Sequence, residues 1–376
     1  MAKSFNYNLA DSQATEIKPI RIEDFNIEEY AEYEKSLLDV CNDFWNNKNE
    51  DTLVYRRMRV AQVFAYDCRD KEKSLQWQLG ALKESMKYKA DVPNFLEPWY
   101  GIGTIASSFG LDYKWETGLA PALNNKFETA KEALEYDTIP VSETPIGKHT
   151  IEMIEYFLDK TKGKLPISYC DVQSPLNIAG NMIDINNYFM DFYMNPDIIK
   201  KLHNKIADLM IEFTKEQNKL LGDTLVYPGH GFASCRNFEG FGMSDDNLVM
   251  ISEDLYIDFA LPSFVKTGDM FNGSVLHSCG NWSDKVDMVK NIGGLKMVDA
   301  AFSIETDPDP NNPSAFSNAF QNTNIVVNAR IVGDMDIITE TTKKLCKPGM
   351  KLIIVTYCKS VEEQNKAYNI IHNIRK

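Results

Sequence analysis

The chain has 376 residues, of which 44% are apolar, 11% aromatic and 25% charged, the composition of a folded globular protein rather than a fibrous or disordered one. Its formal net charge of −14 and pI near 4.9 argue against nucleic acid as a partner, because phosphate binding needs a basic face. No stretch approaches the roughly 20 apolar residues of a membrane span, and the opening MAKSFNYNLADSQATEIKPIR lacks the apolar core of a secretory signal, so a cytoplasmic protein without membrane contact is expected.

That length suits one large α/β barrel. Seven cysteines, Cys41, Cys68, Cys170, Cys235, Cys279, Cys346 and Cys358, are scattered along it. An odd, dispersed set in a reducing compartment predicts free thiols rather than a disulfide framework.

In chain order, residues 1–90 read mainly as helix. EEYAEYEKSLLDVCNDFWNNK and KEKSLQWQLGALKESMKYKAD both space apolar residues by three and four, and a helical N-terminal segment packed on the remainder is expected. YRRMRVAQVFAY, with Arg56, Arg57 and Arg59, falls in that helical stretch. DVPNFLEPWYGIGTIASSFG then brings Pro and Gly punctuation around a short strand-like run. Trp99 and Tyr100 could wall a cavity, although core packing is the commoner fate of such aromatics.

From about residue 150, helices alternate with short apolar runs. TPIGKHTIEMIEYFLDKTKG is helical, LPISYCDVQ is a strand, and NPDIIKKLHNKIADLMIEFTKEQNKLLGD is a long helix with Asn195 as N-cap, Pro196 in its first turn and Gly222 as its stop. Further strands follow at TLVYPGHGF, GSVLHSCGN, MVDAAFSIE, NIVVNARIVG and MKLIIVTYC, each trailed by a helical or loop segment. Alternation of this kind predicts a parallel sheet with helices outside it, and the count favours a (β/α)8 barrel over residues 91–376. The first strand of that barrel is not visible in the pattern.

Barrel chemistry sits where strands end, and polar and sulfur residues gather there. Asp171 and Gln173 follow PISYC, His230 follows LVYPG, His277 and Cys279 follow SVL, Glu305 follows DAAFSI, and Cys358 follows LIIVTY. His277 and Cys279 leave one strand two residues apart, so their side chains share a side and can share one ion. A catalytic zinc takes three protein ligands and keeps a fourth position open, so a third is needed. Cys346 precedes its strand and lies at the wrong end. Cys358 leaves that strand on the same end as His277 and Cys279 and is the better third ligand.

Two thiolates and an imidazole suit zinc rather than magnesium or calcium. So electron-rich a site is a poor source of hydroxide, but it deprotonates a bound thiol and leaves it nucleophilic, which suits alkyl transfer. Glu305 is a candidate for the fourth position until substrate arrives. His230 is a candidate acid or base, Asp171 and Gln173 candidate cavity residues, and Asp246, beside Asp245 in MSDDN, a candidate for binding a cation or polar substrate. An acidic pair ahead of a helix also simply complements the helix dipole. Arg236 and Glu239 are further pocket candidates, whereas His149, His203 and His372 lie in helices as surface or packing residues.

YCDVQSPLNIAGNM, GFGMSDDNLVMISEDLYIDFALPSF, HSCGNW and IVTYCKSVEEQNKAYNIIHNI resemble the uroporphyrinogen decarboxylase superfamily, most of all its methylcobamide:coenzyme M and related corrinoid-dependent methyltransferase branch, over about residues 90–376. The resemblance implies a (β/α)8 barrel with His277, Cys279 and Cys358 as zinc ligands. It also implies methyl transfer between a corrinoid such as methylcobalamin, carried on a separate corrinoid protein, and a small thiol, amine or methoxy compound. A metal-free decarboxylase with Asp171 as its ionised participant is the alternative. It fits less well, because the Gln-Ala-Gly-Arg motif is missing and an acidic chain is an awkward host for a polyanion. A non-catalytic cobamide-binding barrel is the third reading, and the pattern leaves the oligomeric state open.

Overall fold

The computed structural model describes residues 16–47, 51–58, 60, 63, 69–98, 101, 103–115, 121–123 and 127–375. Six parallel strands form its central sheet: β1 (Asp51–Arg56), β2 (Phe241–Ser244), β3 (Ser274–His277), β4 (Leu295–Ala301), β5 (Val326–Ile331) and β6 (Lys351–Thr356), in the order β1-β6-β5-β4-β3-β2. They are short and rich in β-branched residues, and β6 is buried along its whole length. A parallel strand covered on both faces reads as a continuous apolar run, which is why LIIVT and IVVNARIV are legible.

Shorter extended segments close the ring. Asp91 N donates to Val54 O at 2.8 Å, Leu96 N to Pro166 O at 2.9 Å and Ile167 N to Thr224 O at 2.8 Å. Ile167 bridges Leu225, and Gln173, farther along the same segment, bridges Ser244 of β2. Residues 224–228 and β2 thus lie end to end along one edge and make a single stave, interrupted by an excursion over 229–240. Eight staves result, and the (β/α)8 barrel is the observed fold. The run TLVYPGHGF is only the lower half of its stave; the upper half, β2, carries two of its four residues as Gly and Ser and hides from periodicity.

β1 lies inside the N-terminal stretch expected to be helical, so the barrel begins at Asp51 and the division at residue 90 does not hold. It pairs with β6 from Asp51↔Lys351 to Arg56↔Thr356. Its six residues DTLVYR are buried but for a partly exposed Asp51; with both faces covered they show no alternation, and charged neighbours disguise them. Arg56 therefore ends a strand rather than riding a helix, and Arg59 lies outside the described residues.

The helix Ile27–Asn46 is capped by Asn26, whose side chain accepts from Glu29 N, and closes the N-terminal end of the barrel. Trp45 stacks on Phe238 at 4.5 Å, and Lys351 Nζ donates to the Trp45 and Asn47 carbonyls at 3.2 and 2.9 Å. Arg236 donates there to Glu34 at 2.7 and 3.0 Å, and Glu239 reaches Lys296, so both of these candidates belong to the end of the barrel away from the chemistry. In the helix Pro196–Leu221, Pro196 opens the first turn as expected, but Asn195 makes no capping bond; its amide donates instead to Asp191 Oδ1 at 2.7 Å. Among the described residues no helix is long and apolar enough to cross a membrane, and Cys41, Cys170, Cys235, Cys279, Cys346 and Cys358 are unbridged.

Candidate functional site

Register in a parallel sheet places equivalent residues at one height. Ser244 pairs with His277, His277 with Asp299, and Asp299 with Asn328, so four adjacent strands each present a polar residue at one level near their C-terminal ends. His277 Nδ1 donates to Asp299 Oδ2 at 2.6 Å, which turns Nε2 toward Cys279 Sγ, 3.3 Å away. Asn328 Nδ2 donates to Asp299 Oδ1, and Arg330 Nε stands 2.9 Å from Asp299 Oδ2.

These contacts set the charges. Burial disfavours the charged imidazolium of His277, but Cys279 and Asp299 outweigh it and raise the ring's pKa to about 10. Burial likewise disfavours the Asp299 carboxylate, and Arg330, His277 and Asn328 reverse this, holding it below the ordinary carboxylate range.

Asp246 completes the group. It begins the short helix Asp246–Met250 directly after β2, its Oδ1 accepts from Cys279 N at 2.7 Å, and the same oxygen lies 3.7 Å from His277 Nε2. Among the described residues, Asp246, His277 and Cys279 are the set whose ligand atoms all lie within 4.8 Å of one another. A tetrahedron built on zinc bonds to N, O and S has edges of about 3.4–3.6 Å, close to the 3.3 and 3.7 Å spacings observed. The donors fit zinc, and the Asp299–His277 bond is the outer contact that ligating histidines ordinarily have.

The neighbouring loops hold this geometry. Asp245 N donates to His277 O at 2.7 Å, and the buried Asp245 carboxylate, its pKa raised to about 7 chiefly by burial, accepts from Tyr256 Oη at 2.8 Å. Asp307 Oδ2 accepts from Gly280 N at 2.9 Å, and Asn311 bonds Trp282 N at 2.9 Å and Gly280 O at 3.0 Å. The acidic loop ETDPDPNNP thus clamps the segment that carries Cys279. Glu305 itself is exposed and stands outside the ligand group; the carboxylate beside the pair comes from Asp246.

Cys358 leaves β6 on the same end of the barrel, yet its thiol is not among the grouped donors. It packs into the main apolar core, where burial raises its pKa to about 11 against the pull of Arg56. His277, Asp299, Asn328 and Ile353 share one level; Cys279 comes two residues after His277, but Cys358 comes five after Ile353. Being at the correct end of a strand is not the same as being at the correct height.

On the far side of the mouth, His230 lies between two acids: Nδ1 meets Glu97 Oε1 and Nε2 is 3.6 Å from Asp171 Oδ2. Asp171 and Gln173 are both buried, but Gln173 Oε1 accepts from Asn181 Nδ2 at 2.6 Å and serves the β2 junction. Trp99 and Tyr100 lie outside the described residues. The helical histidines are packing residues: His203 sits between Tyr188 Oη and the Phe259 carbonyl, His372 meets Asp91 at 2.9 Å, and His149 meets the Arg69 carbonyl.

Asp299, Asn328, Arg330 and Glu97 went unmarked in the sequence. Asp299 interrupts the apolar run LKMVDAA, and Asn328 and Arg330 interrupt VVNARI two residues apart; polar residues inside buried strands were the available signal.

Among solved structures the chain is similar to a methyltransferase from Methanosarcina mazei, with a TM-score of 0.63 and 11% identity over 90% of this chain and 98% of that one, a likeness of fold. No curated protein matches it. The family model described as Uroporphyrinogen decarboxylase (URO-D) matches residues 53–339. That match runs from β1 through the strands bearing Asp246, His277, Cys279, Asp299 and Arg330 and stops short of Cys358; the chain belongs to the uroporphyrinogen decarboxylase family.

Proposed function

We propose that the protein is a cytoplasmic, zinc-dependent methyltransferase that moves a methyl group between a corrinoid, carried on a separate corrinoid protein, and a small thiol, amine or methoxy compound. The observation that carries this reading is the His277–Cys279–Asp246 donor group, open to the barrel mouth and aligned by Asp299. Zinc bound there would supply Lewis acidity, either lowering the pKa of a substrate thiol or polarising a methoxy or amine donor.

The chain's own residues do the rest. Asp299 fixes the His277 tautomer and ring plane, Asp246 caps the Cys279 amide, and Asp307 with Asn311 keeps the loop from swinging. Geometry favours Asp246 as the third protein ligand, while the family resemblance favours Cys358, and substitution separates the two.

Elemental analysis of purified protein and transfer from free methylcobalamin to a panel of thiols test the reading together. Stoichiometric zinc and thiol-dependent demethylation, both lost in Cys279→Ser, are expected. Protein that holds no zinc, or a Cys279→Ser variant unchanged in both, overturns it.

The Glu97–His230–Asp171 cluster, with both carboxylates buried and the imidazole half-buried between them, favours one second reading, a metal-free decarboxylase using Asp171 as its ionised participant. Turnover of a carboxylated substrate with release of CO2 after complete metal removal would establish it.

A further inference from the structure

The excursion over residues 229–240 runs down the inside of the barrel. Its Phe232, Ala233, Cys235 and Phe238 pack with Val275, Met297, Val326 and Ile353. The first three of these strand residues stand two positions before His277, Asp299 and Asn328, and Ile353 is level with Asn328, so all four face inward. A (β/α)8 interior is ordinarily filled by the side chains of the strands themselves. Here a stretch of chain takes part of that space, and the Phe232 ring fills the room that Gly242 leaves.

The segment touches both ends of the barrel. Toward the mouth, the Phe232 ring stands edge-on to His277 with centroids 6.4 Å apart. Ala233 N donates to Asn328 Oδ1 at 3.3 Å, and the amide of that same side chain holds Asp299. At the closed end Phe238 stacks on Trp45 of the helix Ile27–Asn46. Cys235 lies between these contacts, and its thiol hydrogen-bonds the thiol of Cys41 on that helix.

Two unbridged thiols in contact form a chemical unit. Their shared hydrogen bond, reinforced by burial, pushes the Cys41 thiol up, and the same bond holds Cys235 below the ordinary thiol value. Thiolate character thus collects on Cys235 and the proton on Cys41. Both side chains are buried, yet an open groove of about 530 Å3 runs beside them, lined in part by Tyr227, Arg236, Asn237 and Phe238. Cys235 directly precedes three of these residues and exchanges backbone hydrogen bonds with Tyr227 at 3.0 and 3.3 Å. The groove brings a small oxidant to within one residue of the Cys235 sulfur.

We propose that Cys41 and Cys235 are a reversible disulfide site oxidised by hydroperoxides, and that closing the bridge loosens the His277–Cys279–Asp246 group through Ala233 and Asn328. The Cys235 thiolate attacks the terminal hydroperoxide oxygen; an S–O bond forms, the O–O bond breaks, and the departing alkoxide takes the proton that Cys235 gave up. The Cys41 sulfur then attacks the Cys235 sulfenic acid; the S–S bond forms, the S–O bond breaks, and hydroxide leaves with the Cys41 proton as water. Two thiols are oxidised by two electrons and the hydroperoxide is reduced to an alcohol and water.

A disulfide is far shorter than a hydrogen-bonded pair of sulfurs, so the bridge draws residue 235 toward the helix. Ala233, two residues along, is pulled from Asn328, and Asp299 loses the support that aims its other oxygen at His277. A low-molecular-weight thiol reverses the change, as suits a bridge in a reducing compartment, where disulfides are transient and redox-sensing. The effect on the metal group rests on the zinc reading; the disulfide itself does not.

The test treats the full chain, folded and zinc-loaded, with a slight excess of tert-butyl hydroperoxide. Mass spectrometry of a non-reduced digest should find the Cys41 and Cys235 peptides joined, and dithiothreitol should part them. Competition with a chromophoric chelator should show zinc affinity about tenfold lower in the bridged protein, the lower end of what the contact behind a ligating histidine is worth, and restored on reduction. In Cys41→Ala the same treatment should leave a Cys235 sulfenic acid that dimedone traps, with zinc affinity little changed; Cys235→Ala, which should give neither adduct nor bridge, also controls for oxidation of the exposed Cys279.

Thiols that stay unjoined until urea unfolds the chain overturn the disulfide site. A bridge that leaves zinc affinity unchanged, or an equal loss of affinity in Cys235→Ala, overturns its link to the metal group. A bridge in a chain that binds no zinc leaves the disulfide standing and removes the zinc-dependent reading instead.

Discussion

His277 and Asp299 are register partners on adjacent parallel strands, and the 2.6 Å bond between them fixes which imidazole nitrogen faces Cys279. A carboxylate behind a ligating histidine orients the ring and raises its basicity, and losing such a contact typically costs about 10–100-fold in metal affinity. Asp299→Asn is therefore expected to weaken zinc binding by that order in a competition with a chromophoric chelator, while Asp307→Asn, one shell farther out, should change it far less. Equal affinity in Asp299→Asn and the unmodified protein would show that the bond positions nothing.

The barrel was legible where strands are buried on both faces and keep their β-branched runs, as in β6. It was illegible where a strand is brief or divided. β1 hides between charged residues, and β2 continues a stave begun at residue 224 only because Ile167 and Gln173 align the two pieces. The pair His277 and Cys279 could be read from spacing alone, since two residues along a strand return to one side. Asp246 could be picked out as a candidate for a cation or polar substrate but not joined to that pair, because its approach to Cys279 depends on register between β2 and β3, and no local pattern encodes register across the 32 residues of chain between them. The same limit applies to Cys358: strand ends can be sorted into top and bottom from sequence, but their heights cannot, so its place beside His277 and Cys279 is a matter for substitution.

The third ligand can be decided by two substitutions. If Asp246 holds that position, Asp246→Asn lowers zinc occupancy in equilibrium dialysis by an order of magnitude or more, and Cys358→Ser changes it little. The opposite pattern, together with two sulfur neighbours in the metal's X-ray absorption spectrum, would assign Cys358 and leave Asp246 as the cap of the Cys279 amide. Cys358→Ser also places a hydroxyl in an apolar surround, so its folding should be verified by urea titration beside the metal measurement.

Gly242 lies in the upper half of the divided stave, where Pro228 O and the Phe232 ring approach so closely that an added Cβ would stand 2.6 and 2.5 Å from them. The carbonyl is backbone and also accepts from Gly242 N, so it cannot yield without loosening the stave. Gly242→Ala is expected to destabilise the protein by about 1–3 kcal/mol through overpacking, read as a lower urea midpoint. An unchanged midpoint would mean that the excursion over residues 229–240 gives way freely.

His203 supplies a pH dependence independent of the metal. Burial lowers its pKa to about 4, only partly offset by the Phe259 carbonyl, and its ring accepts or donates between that carbonyl at 2.8 Å and Tyr188 Oη at 2.6 Å. Because the folded protein holds this ring neutral while the unfolded chain protonates near pH 6.5, the unfolded state binds the extra proton and stability falls as pH drops. The contribution is intact above about pH 6.5 and is lost progressively down to about pH 4, amounting to roughly 3 kcal/mol at the acid end. Histidine hydrogen–deuterium exchange followed by mass spectrometry should report no titration of His203 above pH 5. In His203→Gln the urea midpoint should fall less steeply between pH 6.5 and 4 than in the unmodified chain; a titration near pH 6.5, or parallel slopes in the two proteins, would show that the ring is open to water in solution.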